Sequence, residues 1–279
     1  MTISPRGELL PYKGDYYLWK YVPSIAAAVI FTTLFFACSA AHTWKMYRHR
    51  MWFCSVFVIG GYLEVIGYIG RAVASNATDE LGPYIIQSVL LLVPPSLFAA
   101  SIYMTLGRII RGLGPAAEAS SIIRVSWLTK IFVTGDVFAF LIQGTGAGMT
   151  ASGTSMAEMG EHVVVGGLVV QIVFFGLFVA AAVVFQLRFR RVDGPSTQMP
   201  WRGMVNMLYG VSALILARCI FRIIEYVMGV DAYLLSNEWT LYVFDGLLMV
   251  AVMVIFYWWY PSEIGRHGKS RDDNDSLAL

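Results

Sequence analysis

Seven long apolar runs lie near residues 22–44, 51–73, 84–110, 124–148, 161–187, 201–229 and 238–260. Each holds about 20 or more mostly apolar residues, enough to cross a hydrocarbon core of roughly 30 Å at about 1.5 Å per residue. Polar or Gly/Pro-bearing linkers separate the runs. Composition points the same way: 57% of the 279 residues are hydrophobic and 14% are charged, whereas a soluble domain carries roughly 25% charged residues. The net charge of +2 is too small to suggest a nucleic-acid partner.

The expected fold is therefore an all-α integral membrane protein with seven transmembrane helices. The expected divisions are a tail at 1–21, a seven-span domain at 22–260 and a polar tail at 261–279. The first run is too long for a signal-peptide core and has no clear cleavage site, so it reads as a retained span. No segment between the spans is long enough for a soluble domain, and there is no internal repeat of useful length.

Lys and Arg set the expected orientation. Lys45, Arg48 and Arg50 follow the first run, Arg111 the third, Arg188, Arg190 and Arg191 the fifth, and Arg266, Lys269 and Arg271 the seventh. The alternate loops, 74–83, 149–160 and 230–237, contain neither residue. The positive-inside rule then places the N-terminus outside and the C-terminus in the cytosol, against a weaker pull from Arg6, Lys13 and Lys20. Asn76-Ala77-Thr78 is a glycosylation sequon in a loop assigned outside, which makes Asn76 a glycosylation candidate. Tyr16, Tyr17, Trp19 and Tyr21 at one end, and Tyr257, Trp258, Trp259 and Tyr260 at the other, suit interfacial belts.

Ionisable and polar residues interrupt the apolar runs. Arg218, Arg222 and Glu225 are spaced i, i+4, i+7 and share one helix face. Glu64 and Arg71 are seven apart, and Asp136 and Gln143 repeat that spacing. Asp245 lies in the seventh run, Gln87 in the third and Gln171 in the fifth. A charge near the bilayer centre costs at least about 2.5–3.5 kcal/mol on insertion scales, so these groups are expected to face inward, pair or line a wet cavity. Four carboxylates (Glu64, Asp136, Glu225, Asp245) nearly balance Arg71, Arg218 and Arg222, with Lys130 deeper. The reading is a polar chamber between helices, opening outward. The plainer alternative is a set of clips that join helices, with Arg71 and Glu225 snorkelling to the interface. The arginines suit a phosphate or carboxylate headgroup and the carboxylates suit an amine; the sequence does not choose.

Pro94-Pro95 should kink or interrupt the third span, because each ring removes a backbone donor; it is either a fixed bend or a hinge. The glycines of GTGAG (144–148) allow close helix approach or a flexible exit. QGTGAG lacks the strand–turn–helix setting of a dinucleotide fingerprint, and GRHGKS (265–270) has the wrong spacing for a P-loop. None of the four histidines joins the Glu64/Asp136/Asp245 zone, so a zinc hydrolase is disfavoured and neither a metal nor a cofactor is expected. Cys38, Cys54 and Cys219 read as packing residues inside spans. There is no Ser-centred nucleophile elbow, and no catalytic residue is assigned.

YVPS (21–24), EVIGYIGR (64–71), PPSLFAASIYMTLGRII (94–110), FVTGDVFAFLIQGTGAGM (132–149), FRIIEY (221–226) and YVFDGLLM (242–249) resemble the fungal RTA-like family of seven-span membrane proteins, also called lipid-translocating exporters. The likeness touches six of the seven spans in the family's order. GGLVVQIVFFGLF in the fifth span is compatible, and Ala147 stands where a further glycine is expected. The resemblance implies resistance to toxic lipophilic compounds and movement of sphingoid long-chain bases or related lipids, in a fungal plasma membrane. It supplies no list of catalytic residues.

The leading expectation is a non-enzymatic lipid translocator or exporter. An amine or hydroxyl head enters the chamber beside Glu64, Asp136 or Asp245, while the tail stays in membrane lipid and Pro94-Pro95 serves as the hinge. The rival is a seven-span receptor or sensor whose basic loops at 45–50 and 188–191 contact a cytosolic partner or anionic lipid. A membrane enzyme is a third reading. On the orientation above, an epitope tag at the C-terminus should bind antibody only after cells are permeabilised, and one at the N-terminus without permeabilisation. The reverse staining pattern would invert the topology.

Overall fold

The computed structural model describes Trp19 and residues 21–76, 78–151, 156–192, 201–228 and 237–260. The described residues form helices and no strand: α1 (Ile25–His49), a 3-10 turn (Trp52–Cys54), α2 (Ser55–Ala74), α3 (Leu81–Leu92), α4 (Pro94–Leu113), α5 (Pro115–Ser120), α6 (Val125–Ala151), α7 (Ala157–Val192) and α8 (Trp201–Val227). The last span is α9 (Glu238–Leu241), a π-helical segment (Tyr242–Leu247) and α10 (Leu248–Trp258). Seven helical spans are long and apolar enough to cross a membrane, with α3 and α4 forming the third. Helices suit this solvent because they satisfy every backbone donor and acceptor within the segment.

Local chemistry marks the boundaries. The Ser24 side chain caps α1, accepting from the Ala27 N–H at 3.4 Å. Arg50 ends that helix in the left-handed region (φ 53°), and the following Met51 N–H returns to the Met46 carbonyl at 3.1 Å, closing the Schellman motif. Gly114 takes φ 93° between α4 and α5, a conformation that favours glycine, and Pro115 then starts the short α5. α5 lies in the linker between the third and fourth apolar runs and has no signature in the apolar pattern.

The spans form a ring around α4. Around the ring, α1 packs on α2, α2 on α3, α6 on α7, α7 on α8, and α8 on α10, which returns to α1; α4 contacts α2, α6, α7 and α8. Phe98, Ile102, Tyr103, Leu106 and Ile109 of α4 are fully buried among Phe57, Phe132 and Phe178. The outer faces are apolar and exposed, as at Ile30, Phe36, Phe138, Leu141 and Leu177. A soluble protein rarely exposes such a continuous apolar surface, and here it is the surface that meets lipid.

Charge divides the two ends. One end carries Lys45, Arg48, Arg50, Arg111, Arg124, Arg188, Arg190, Arg191 and Arg202; the described part of the other carries Asp79, Glu80, Glu158 and Glu161. At the basic end α1 is tied to α10: His42 Nε2 lies 2.9 Å from the Met253 carbonyl oxygen, and Lys45 Nζ donates to the Tyr257 carbonyl at 2.5 Å. At 36 residues, α7 is about 54 Å long, so it extends beyond the hydrocarbon.

Glycine brings backbone against backbone between α6 and α7. A Cβ at Gly146 would sit 2.7 Å from both the Gly160 carbonyl oxygen and the Val164 backbone nitrogen, whereas at Gly144 and Gly148 it would meet nothing within 4 Å. The expected close approach therefore belongs to Gly146. Backbone cannot yield as a flexible side chain does, so Gly146→Ala should cost about 1–3 kcal/mol through overpacking. Gly144→Ala should not lower stability. Thermal unfolding of both variants in detergent checks the contrast.

Candidate functional site

The interrupting polar residues all lie inside the bundle. Arg71, Arg218, Glu64, Gln87, Asp136, Gln143, Gln171, Glu225 and Asp245 are buried, and the Arg222 side chain is largely so. Their side-chain contacts link them in small groups. They form separate nodes, and all but the Arg222–Glu225 pair join different helices.

The first node surrounds Arg71 on α2. Its guanidinium donates from Nε to the Tyr242 hydroxyl at 3.0 Å, from Nη1 to Gln87 Oε1 at 3.2 Å, and from Nη2 to the Tyr21 hydroxyl and Glu238 Oε1, both at 2.9 Å. Glu238 also accepts the Ser24 N–H through Oε1 at 2.8 Å and Oε2 at 3.0 Å, and the Tyr242 hydroxyl at 3.2 Å. The rings of Trp19, Tyr21 and Tyr242 surround the same cation. This node therefore joins the start of the first span, α2, α3 and α9 near the acidic end. Arg71 pairs with Glu238, not with Glu64 one face-repeat earlier on its own helix.

The second node is deeper. Arg218 on α8 donates from Nε to Asp245 Oδ1 on the π-helical segment and from Nη2 to the Leu91 carbonyl oxygen at 3.0 Å. That carbonyl is available for a covalent reason. In a regular helix it would accept the N–H of residue 95, but residue 95 is proline and has none. The break between α3 and α4 at Val93 thus creates the acceptor that the buried guanidinium uses. Asp245 depends on local irregularity too, because its helical turn is π rather than α, a form that occurs mostly as single turns at functional sites. Gly246 next to it admits Tyr68 and Phe31: a Cβ there would lie 2.5 Å from the Tyr68 hydroxyl and 2.7 Å from a Phe31 ring carbon.

Three further groupings complete the set. Arg222 pairs with Glu225 at 2.9 Å, three residues along α8. Gln143 of α6 donates to Gln171 of α7 at 2.9 Å, and Gln171 donates to Ser96 Oγ on α4 at 3.3 Å. The Tyr103 hydroxyl of α4 donates to Asp136 Oδ2 on α6 at 2.9 Å. Asp136 and Gln143 share a helix but serve different nodes.

Two buried acids remain without a cation. Asp136 Oδ1 is buried with no hydrogen-bond partner. Glu64 is 3% exposed, and among the described residues no hydrogen bond or ion pair holds its carboxyl group. Electrostatically it faces Asp245 and Arg218.

Several partners escaped the sequence reading. Glu238 stands at the edge of its run, where an acid reads as interfacial. Tyr21, Tyr103 and Tyr242 read as belt or packing residues. The Leu91 carbonyl had a signal, the proline four residues on. A cavity of about 540 Å³ lies apart from these nodes, on the outer side of α1 and α2, lined by Thr32, Thr33, Ile69, Val73, Asn76 and Glu80. Asn76 is exposed there, while Thr78 of its sequon is buried and Ala77 lies outside the described residues. Among the described residues, no three His, Cys, Asp or Glu side chains come together as metal ligands.

The protein is thus a multi-pass helical membrane protein with ion pairs buried between its spans. It belongs to the RTA1-like family: the family model described as RTA1 like protein matches residues 57–267. Its relatives include Protein RTA1 of Saccharomyces cerevisiae, 35% identical over 89% of this chain and 86% of that protein. The Protoporphyrin uptake protein 1 of the same yeast is 38% identical over 72% of this chain and 66% of its own length. A more distant relative is the Sphingoid long-chain base transporter RSB1 of Saccharomyces cerevisiae strain Lalvin EC1118, 22% identical over 86% of this chain and 72% of its own. No solved structure matches the chain.

Removing one partner of the second node leaves a charge in a membrane interior. Arg218→Met should cost about 3–5 kcal/mol, and adding Asp245→Leu should recover most of the loss, because a well-packed apolar pair replaces a buried ion pair at little net cost. Adding Pro95→Ala to Arg218→Met should instead recover about 1 kcal/mol, by giving the Leu91 carbonyl a helical donor. Thermal unfolding in detergent reads each term.

Proposed function

We propose that the protein moves an amphipathic single-chain lipid with an amine head, of the sphingoid-base type, between the leaflets of a fungal plasma membrane, and so contributes to resistance to toxic lipophilic compounds. The observation that carries this reading is the imbalance inside the bundle. Arg71, Arg218 and Arg222 each hold a carboxylate, while Glu64 and Asp136 hold none. A membrane interior with spare carboxyls and committed guanidiniums suits a cation rather than a phosphate. The name of RSB1 supports a sphingoid-base substrate, at low identity.

Asp136 is the acid best arranged for the ammonium head. Tyr103 fixes one carboxylate oxygen, and the other is free to accept from an amine. The hydrocarbon tail remains in lipid beside the apolar outer faces, so only the head crosses the protein. Passage needs helices to part near Asp136, and the broken third span supplies the joint: α3 and α4 meet at Val93 without continuous backbone hydrogen bonding across the two prolines. Arg218 must release the Leu91 carbonyl for that joint to open. The N-terminus faces outward in this scheme, and no catalytic step is involved.

The test is purified protein in liposomes, with a fluorescent long-chain primary amine followed between leaflets at equal pH on both sides. Movement should exceed that in empty liposomes, and Asp136→Asn, folded by its thermal transition, should lose tenfold or more of the excess. A matched lysophosphate should move no faster than in empty liposomes. Movement of the phosphate or of protoporphyrin in preference to the amine would overturn the assignment of charge. Binding of the amine without movement would favour a receptor.

A further inference from the structure

We propose that Glu64 is a proton-binding site that couples lipid movement to a proton gradient, one proton exchanged for one ammonium head. This rests on reading the network as an amine site.

Glu64 is set in the middle of α2, ten residues before that helix ends at Ala74, or about 15 Å along the axis. At that depth an unpaired carboxylate is costly. A proton removes the charge without needing a partner side chain, and none is present among the described residues. The charged and titratable groups facing it are Asp245 from the π-helical segment, Arg218 from α8 and Tyr68 one turn along α2. On α1, Ser39 approaches the same helix at Gly61 and is uncharged, and His42 is engaged with the Met253 carbonyl. On α3, Gln87 is engaged by Arg71 and Leu91 offers its carbonyl to Arg218. α4 approaches α2 through Leu97 and Phe98 at Gly60.

Among the described residues, Arg218 is therefore a cation shared by Asp245 and Glu64. In the arrangement observed it serves Asp245 and the Leu91 carbonyl, which suits a Glu64 that carries a proton. An ammonium head arriving at Asp136 adds a second cation to the same low-dielectric interior and so repels Arg218. Displaced toward Glu64, the guanidinium favours the carboxylate, and the proton leaves. The same displacement frees the Leu91 carbonyl and slackens the joint between α3 and α4. By reciprocity, a proton on Glu64 weakens lipid binding. Lipid then loads where protons are scarce and leaves where they are plentiful. The two surplus carboxyls are neutralised at every stage, by a proton or by an ammonium.

The probe is a fluorescent single-chain quaternary ammonium lipid, which has no proton to lose and so does not follow a pH gradient by itself. In liposomes holding the full chain and a gradient of one pH unit, it should accumulate about tenfold in the leaflet facing the acidic side. Even distribution in the wild type, reached faster than in empty liposomes, would overturn the coupling while leaving the transport reading intact. Infrared difference spectra assign the proton without any transport. At fixed pH, adding the probe should remove a carboxylic-acid band that Glu64→Gln lacks and Glu64→Asp keeps at a shifted frequency. A band that persists in Glu64→Gln would overturn the assignment. If neither this probe nor the primary-amine lipid moves but the wild-type band still responds, the transport reading fails and the proton site stands.

Discussion

The buried guanidinium of Arg218 is the contact through which the polar interior is organised. A charge at that depth is tolerated only if its donors are used, and the two partners it finds are both products of irregular backbone. Asp245 sits in a π turn, and the Leu91 carbonyl is released by proline. Neither would be in place in a bundle of seven regular helices. The interruptions that look like defects in the third and seventh spans are what let a cation reside between the second, third, sixth and seventh spans.

The rest of the bundle divides around that contact. Towards the basic end, α1 and α10 are joined by His42 and Lys45 reaching backbone carbonyls, and Phe57, Phe98 and Phe256 stack in a continuous aromatic contact. That half is held by aromatic packing and by bonds to backbone carbonyls. Towards the acidic end, the links are ion pairs and hydroxyl donors, and carboxyls outnumber the cations that serve them. Ion pairs of this kind have more than one arrangement of similar energy. Packed aromatic rings do not, since displacement costs contact. The half that holds the charged nodes is the half able to change.

The family resemblance and the physical reading converge on one picture from different directions. The matched strings EVIGYIGR, PPSLFAASIYMTLGRII and YVFDGLLM contain Glu64, Arg71, the two prolines and Asp245. Arg71, Asp245 and the proline break carry the first two nodes.

Much of the architecture was legible one residue at a time. Apolar length gave seven spans, Pro94-Pro95 gave the break, and the cost of charge in lipid correctly sent Arg218, Glu64 and Asp136 inward. Pairing was legible only along α8, where Arg222 and Glu225 share a face and form an ion pair. Periodicity along one helix grouped Glu64 with Arg71 and Asp136 with Gln143, but partners come from other helices, whose rotation and axial register no single run specifies. Glu238 entered through such a register, as did Tyr103 and a backbone carbonyl with no side-chain signature. Sequence alone determined that charges would be buried, because composition and length place them in lipid. Only the tertiary structure decided which charges are balanced and which two acids are left over, because that depends on distances between helices.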